Sequence, residues 1–223
     1  MPPLFVLVLL PVVLLAWPVA AWAGASLDID DAAITPEGRC QVESWLRRES
    51  AQRQAVAVPA CTVAATEVSL GVLGRDPGTG GAGLSLGLKR VLRAFDGRGW
   101  GLAVAASASH EPGQGPGWVL ALPASVALDP AQRTLVHLNL GWEAPDRARR
   151  AATAGIGLER VLDPRWTLLA ALRGDDRGGA GGQLGLRRAL GPNASLDLLA
   201  GRHRADGDGT RWLTLGLNVL LPQ

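Results

Sequence analysis

Three histidines supply the near-neutral titrating groups of this sequence, and each has a neighbour with which hydrolytic chemistry could be built. His110 follows Ser107 and Ser109, His203 precedes Asp206 and Asp208, and Asn139 lies two residues beyond His137. A nucleophile needs its base within hydrogen-bond reach and an orienting group behind that base. In an extended segment Ser109 and His110 point to opposite faces. His203 has no serine beside it, and His137 and Asn139 share a face without one. These spacings argue against an enzyme. Asp206-Gly207-Asp208-Gly209 is too short for a helix-flanked calcium loop and reads as a flexible loop. The sequence offers no set of cofactor or metal ligands. The two cysteines, Cys40 and Cys61, are an even pair. They predict a disulfide if the chain is exported to an oxidising compartment, the alternative being two buried thiols.

Export is what the N-terminus predicts. Leu4 to Trp17 is an apolar run broken only by Pro11, and Ala21-Trp22-Ala23 has the small-x-small form of a cleavage site. Residues 1–23 read as a signal peptide, although Met1 to Val6 carry no Lys or Arg. Beyond Ala25 nothing approaches the roughly 20 consecutive apolar residues of a spanning helix. The net charge is +2, and there is no basic run with interleaved aromatics, so nucleic-acid binding has no support. What remains is high apolarity, 29 glycines and charge scattered one residue at a time.

That pattern has a period of two. Leu84, Leu86 and Leu88 alternate with Gly83, Ser85, Gly87 and Lys89. Thr134, Val136, Leu138 and Leu140 alternate with Leu135, His137, Asn139 and Gly141. Leu213, Leu215, Leu217, Val219 and Leu221 alternate with Thr214, Gly216, Asn218 and Leu220. Successive side chains of a strand point to opposite faces, so one face of each segment meets apolar surroundings. Leucine would permit a helix, but glycines spaced two apart each cost roughly 0.5–1 kcal/mol in a helix interior.

Twelve such segments are predicted, at 39–49, 52–61, 64–73, 81–92, 99–109, 117–127, 132–142, 151–161, 165–173, 181–189, 194–202 and 211–221. From Gly74 onward the connections alternate in character. Short turns such as Leu128-Asp129-Pro130, Leu162-Asp163-Pro164 and Gly191-Pro192-Asn193 alternate with longer, polar, Gly-rich loops. Bacterial outer-membrane barrels have an even strand number, short periplasmic turns and longer external loops. The fold predicted is therefore all-β, an antiparallel up-and-down transmembrane β-barrel of about twelve strands over 39–223. Residues 24–38 are expected as an N-terminal periplasmic segment. A soluble sandwich or lipocalin-type barrel also alternates, but its water-facing side would be unusually bare here, being rich in Gly, Ala and Ser.

Trp100, Trp118, Trp142 and Trp166 fall at segment ends on the apolar face, as membrane-interface girdles do. Trp212 has the opposite parity, and Trp45 lies mid-segment on the polar face. The inward set predicted by parity is Glu43, Arg47, Glu67, Lys89, His137, Asn139, Glu159, Arg187 and Asp197. Its signs nearly cancel. Opposite charges on neighbouring strands would then pair, because an unpaired buried charge is costly. Two readings stay open: a salt-bridged interior that holds the barrel's shape, or a charged lining that selects a small solute. Pro123 cannot donate to a strand ladder and predicts a bulge or local distortion. Parity does not put the Cys40 and Cys61 sulfurs on one face cleanly, so a bulge or frayed end is expected there as well.

Asp28-Ile29-Asp30-Asp31-Ala32-Ala33 followed by Gly38-Arg39-Cys40-Gln41-Val42-Glu43 resembles the start of a proteobacterial family of uncharacterised outer-membrane barrels. These are similar to the MetA-pathway-of-phenol-degradation proteins. The resemblance covers about twenty residues and the general strand pattern. It implies a barrel in the cell outer membrane, in contact with lipid, with a transport role for a small-molecule solute, and it brings no catalytic residues. The last segment is close to the C-terminal signal read by the barrel-assembly machinery in Gly216, Leu217, Val219 and Leu221. It departs from that signal in lacking a terminal aromatic and ending Pro222-Gln223.

Overall fold

The computed structural model describes residues 27–50, 52–76, 82–95, 99–113, 115–144, 150–205 and 208–222. The signal peptide expected at 1–23 lies outside them. The strands are β1 (Cys40–Glu49), β2 (Gln52–Val63), β3 (Thr66–Arg75), β4 (Gly83–Arg93), β5 (Trp100–Glu111) and β6 (Gly115–Ala127), followed by β7 (Thr134–Ala144), β8 (Ala151–Val161), β9 (Trp166–Asp175), β10 (Ala180–Gly191), β11 (Ala194–Ala205) and β12 (Asp208–Leu220). Each pairs antiparallel with its sequence neighbours, and β12 returns to β1, closing the barrel. Closure removes the unpaired edges that an open sheet would present. Number and order match the alternation. The eighth segment agrees end to end, whereas β11 and β12 run further into the longer loops than 202 and 211.

The period-two pattern resolves into an outer and an inner face. Leu70, Leu84, Leu86, Leu120, Leu140, Leu172, Leu184, Leu198, Leu213 and Leu215 all face outward and are exposed. Ala103, Leu135, Leu169, Leu199 and Thr214 face inward and are buried. There is thus no dry leucine core with charge around it. The apolar surface is on the outside, where only lipid would make it favourable.

Turn chemistry fixes the short-turn end. In both Leu-Asp-Pro turns the aspartate caps the chain that follows it. Asp129 accepts the backbone N–H groups of Arg133 and Thr134, and Asp163 accepts those of Arg165 and Trp166. The Arg133 N–H is the main reason the Asp129 carboxyl titrates below its usual range. Between β2 and β3 the two turn residues, Ala64 and Ala65, both have positive φ, at 52° and 56°. This is the backbone of a tight hairpin turn, where glycine or asparagine is usual. The Glu37 carboxylate holds the turn by accepting both N–H groups, at 2.7 and 3.0 Å.

Of two expected irregularities, the one at Pro123 is a local lapse in pairing without a bulge, and the one at the cysteines is absent. β5–β6 pairing lapses around Pro123 but resumes in the same register, from Leu102↔Ala124 to Ala105↔Ala121, so no residue is inserted. Cys40 stands directly opposite Cys61 with regular pairing beside it, and the two form a disulfide with Cα atoms 4.0 Å apart. The parity expectation failed because the β1–β2 register pairs even with odd numbers. Both sulfurs therefore share the outer face, and no bulge is needed.

The N-terminal segment departs most from the expectation. Residues 27–35 are not a separate stretch beside the barrel; they run inside it. The chain then leaves at the short-turn end, where Gly38 N–H bonds to Thr62 O, and turns into β1. The segment's own composition explains its place: Leu27 and Ile29 are apolar, and Asp28, Asp30 and Asp31 meet cations that the barrel wall leaves free.

Candidate functional site in the barrel lumen

The nine residues of the predicted inward set all lie on the inner face, but they form two different assemblies. On the wall from β6 to β12 a continuous polar chain crosses the strands. Ser125 on β6 is opposite His137 on β7 in register. The Ala32 backbone N–H donates to Ser125 Oγ at 2.8 Å, and Ser125 Oγ shares a hydrogen bond with His137 Nδ1, also at 2.8 Å. His137 Nε2 points at Glu159 Oε1 from 3.9 Å, beyond direct hydrogen-bonding distance. Arg187 Nη1 approaches Glu159 at 3.4 Å, and the same guanidinium forms a two-pronged pair with Asp197, at 2.8 and 2.9 Å. Asn218 donates to Asp197 at 3.3 Å and to Ser195 at 3.1 Å. Asp197 is completely buried, and His137 and Glu159 are 2% exposed. Leu27, Ile29, Leu169, Ala171 and Leu199 pack beside this chain as an apolar cluster.

On the other wall Lys89, Glu67 and Arg47 turn to the N-terminal segment and not to one another, which corrects the expected pairing, while Arg75 on β3 pairs with Glu111 on β5 at 2.8 Å. Lys89 and Glu67 are directly opposite in register. Yet Lys89 Nζ reaches Asp30 at 2.7 Å and Asp31 at 3.1 Å, while Glu67 accepts the N–H and hydroxyl of Thr35. Arg47 pairs with Asp28 at 3.0 Å and also donates to Thr214. Asn139 clasps Asp30 from both sides, accepting its N–H and donating to its carbonyl. Glu43 is bonded by Gln41 at 3.4 Å and faces open lumen.

Glycine makes the seat for this segment. A Cβ at Gly155 would overlap Ile29 Cδ1, and one at Gly157 would sit 3.1 Å from Ile29 Cγ2. Those inward glycines, and the acids at 28, 30 and 31, were the available sequence signals for an occupied lumen. They went unread because the segment itself has no periodicity. Ser125 was also missed as the partner of His137, since only register brings the two together.

Among the described residues the lumen holds at least two cavities. One of about 530 Å³ runs beside the segment along β1–β8, lined by small residues such as Ala60, Ser69, Gly87, Ala105, Ser107 and Ala121. Its charged lining comprises Asp28, Asp30, Asp31, Glu43, Glu67 and Glu143 against Lys89 and Arg173. The other, of about 590 Å³, opens toward the long-loop end between β1 and β9–β12. Asp28, Glu143 and Arg173 border both, with Glu143 and Arg173 ion-paired, so this group stands between them. The Gln183 amide, buried without a hydrogen-bond partner, borders the second cavity.

The hydrolytic candidates are not assembled. His110 faces outward, whereas Ser107 and Ser109 face inward. His203 faces the second cavity, while Asp206 and the side chain of Asp208 lie outside the described residues. Ser125–His137–Glu159 has the residue types of a triad, but Ser125 Oγ is capped by Ala32 and sealed from both cavities. Among the described residues no His, Cys, Asp or Glu group could hold a metal ion.

Four tryptophans face outward, Trp100 and Trp166 at the short-turn end and Trp118 and Trp142 near the long-loop end, all exposed. Arg93 stacks over Trp100 at 3.9 Å and Arg188 over Trp166 at 5.5 Å. Trp212 is inward because it covers Gly201, its partner in register, with Arg47 5.2 Å from its ring. Trp45 is inward and half-buried.

With this geometry in place, the comparisons with known proteins can be stated. The chain belongs to the family described as Uncharacterised conserved protein UCP029691, which matches residues 11–221. No curated protein matches it in sequence. Among solved structures it is similar to the KdgM porin in complex with disordered oligogalacturonate, with a TM-score of 0.68 at 9% identity over 82% of this chain and 99% of that one. The NanC porin superposes with a TM-score of 0.63 at 8% identity, over 82% of this chain and 100% of that one. The COG4313 outer membrane channel from Pseudomonas putida F1 gives 0.62 at 12% identity, over 87% and 100%. These likenesses establish a porin-like barrel fold, consistent with an outer-membrane location.

Proposed function

We propose that this chain is an outer-membrane channel that passes small solutes along one side of its lumen, with residues 27–35 standing in the path. The observation that carries this reading is the cavity of about 530 Å³ between that segment and a wall of small side chains. An interior meant only to hold shape would be filled on that side too. In this reading residues 1–23 are the export signal, the short turns face the periplasm and the long loops face outside. The outward tryptophans mark the two lipid interfaces, and the barrel-assembly machinery reads the last strand. The likeness of the N-terminus to the MetA-pathway-of-phenol-degradation proteins points the same way.

The acidic excess around this cavity favours neutral and cationic solutes over anions, since lining charge sets pore selectivity. This separates it from a porin solved with oligogalacturonate, a polyanion. Planar-bilayer recordings of the purified protein, checked for folding by heat-modifiable gel migration, test the reading. Discrete steps with a cation-favouring reversal potential are expected. Silence at all voltages would leave the second reading, a structural barrel, which the fully buried Glu159–Arg187–Asp197 group favours.

A further inference from the structure

The outer face of the barrel is not uniform around its long-loop rim. On β2, β1, β12 and β11, which are consecutive around the barrel, arginines emerge together. Arg53 stands directly opposite Arg48, and Arg202 directly opposite Arg211. Arg48 pairs with Leu213, two residues from Arg211 on the same face, and Arg204 lies two beyond Arg202. The group is therefore contiguous across the β1–β12 seam. All its members are exposed. Among the described residues the nearest outward acid is Asp76, just beyond β3, whose carboxylate takes the Arg53 backbone N–H. Elsewhere on this rim the described outward strand positions are apolar or aromatic apart from His110 on β5, with Trp118 and Trp142 on β6 and β7.

The outward arginines of the opposite rim behave differently, because each has a partner within the barrel. Arg90 donates to Thr66, Arg160 to Thr134, and Arg188 stacks on Trp166. Among the described residues, the guanidinium groups of Arg48, Arg53, Arg202, Arg204 and Arg211 have no ion pair, side-chain hydrogen bond or ring contact. Directly below them on the same faces come Leu46, Leu213, Leu215 and Leu198, exposed to the surroundings of the barrel. A fixed set of unengaged guanidinium groups above an apolar wall complements one kind of molecule: an amphiphile whose acyl chains lie along the leucines and whose head carries phosphate. Guanidinium matches phosphate bidentately and stays charged at any physiological pH.

We propose that the arginines of β11, β12, β1 and β2 form a binding site for a phosphate-bearing glycolipid of the outer leaflet. The site rests on the outer-membrane placement but not on conductance, so a silent channel leaves it standing. The test uses the full mature protein in detergent and a hexa-acylated, bis-phosphorylated glucosamine disaccharide as probe. Binding is measured by native mass spectrometry and by lipid-dependent shift of the heat-modifiable transition. The phosphorylated probe is expected to bind at least about tenfold tighter than its dephosphorylated form, with strong weakening by salt. R202Q/R211Q and R48Q/R53Q should each lose about that factor, and R90Q/R188Q at the other rim should lose none. Equal binding of the two probes by the native protein would overturn the proposal without recourse to any variant. So would unchanged binding in both rim variants, an equal loss in the control, or full displacement of the lipid by millimolar inorganic phosphate.

Discussion

Toward the short-turn end the two sides of the lumen are built from strands with the same alternation, yet one is filled and the other hollow; the β9–β12 side opens only at its long-loop end. From β7 to β12 the inward positions carry Leu135, His137, Glu159, Leu169, Arg187, Asp197 and Leu199, which meet across the wall and exclude space. From β2 to β6 they carry Ala60, Ser69, Gly87, Ala105, Ser107 and Ala121, which cannot reach across. The period of two decides only which face a residue takes. The volume of the residues on that face decides whether the tube is a pillar or a passage. Polar groups rigidify a side only when they satisfy one another. On the hollow side Arg47, Lys89 and Glu67 find partners in the N-terminal segment instead, so these bonds hold a part that is separate from the wall.

That contrast can be broken most strongly at Arg187. Arg187→Met leaves Asp197 and Glu159 buried without their cation, and the folded barrel should lose about 3–5 kcal/mol in urea titrations in detergent. A loss under ~1 kcal/mol would mean that the filled side is not held by this group. Next in size is the tie on the hollow side. C40S/C61S opens a disulfide spanning a separation of 21 residues and should cost about 3 kcal/mol. Hydrogen exchange should rise first in β1–β3, and a uniform rise around the barrel would contradict the division. Ile29→Ala empties the seat over Gly155 and Gly157 and should weaken anchoring of the segment by about 2–4 kcal/mol. Its reading is a larger unitary conductance and faster proteolysis within 27–35, with the Arg187–Asp197 pair intact. Ser107→Leu sharpens the comparison from the other direction. It should narrow the passage and lower conductance while shifting stability by less than ~1.5 kcal/mol, because there is room for the new side chain. Smallest is Ala65→Gly, which suits the positive φ of the β2–β3 turn and should stabilise by about 0.5–1 kcal/mol.

Much of this was legible before any coordinates. The leucines at 84, 86 and 88 give the lipid face, the Leu-Asp-Pro turns give the short-turn end, and the parity of Lys89 and His137 gives the interior. What alternation could not give is register. Ser125 meets His137, and Cys40 meets Cys61, only because of how far adjacent strands slide, and turn lengths leave that open by a residue or two. Nor could it place residues 27–35, whose fit depends on three-dimensional complementarity between Ile29 and two glycines and between three aspartates and cations from different strands. Trp212 looked misplaced for the same reason, since its partner Gly201 lies on another strand.

The route of the N-terminal segment has a practical consequence for anyone handling this protein. Asp28 already borders the cavity that opens toward the long loops, while the segment's far end is clasped at Glu37 and Gly38. A purification tag or reporter joined just ahead of Leu27 is therefore joined to a stopper from its inner end. A bulky fusion has to fit within the tube or pull the stopper free, whereas one joined after Pro222 leaves the bore as it was. Recordings from the two fusions should differ, and only the second speaks for the native pore.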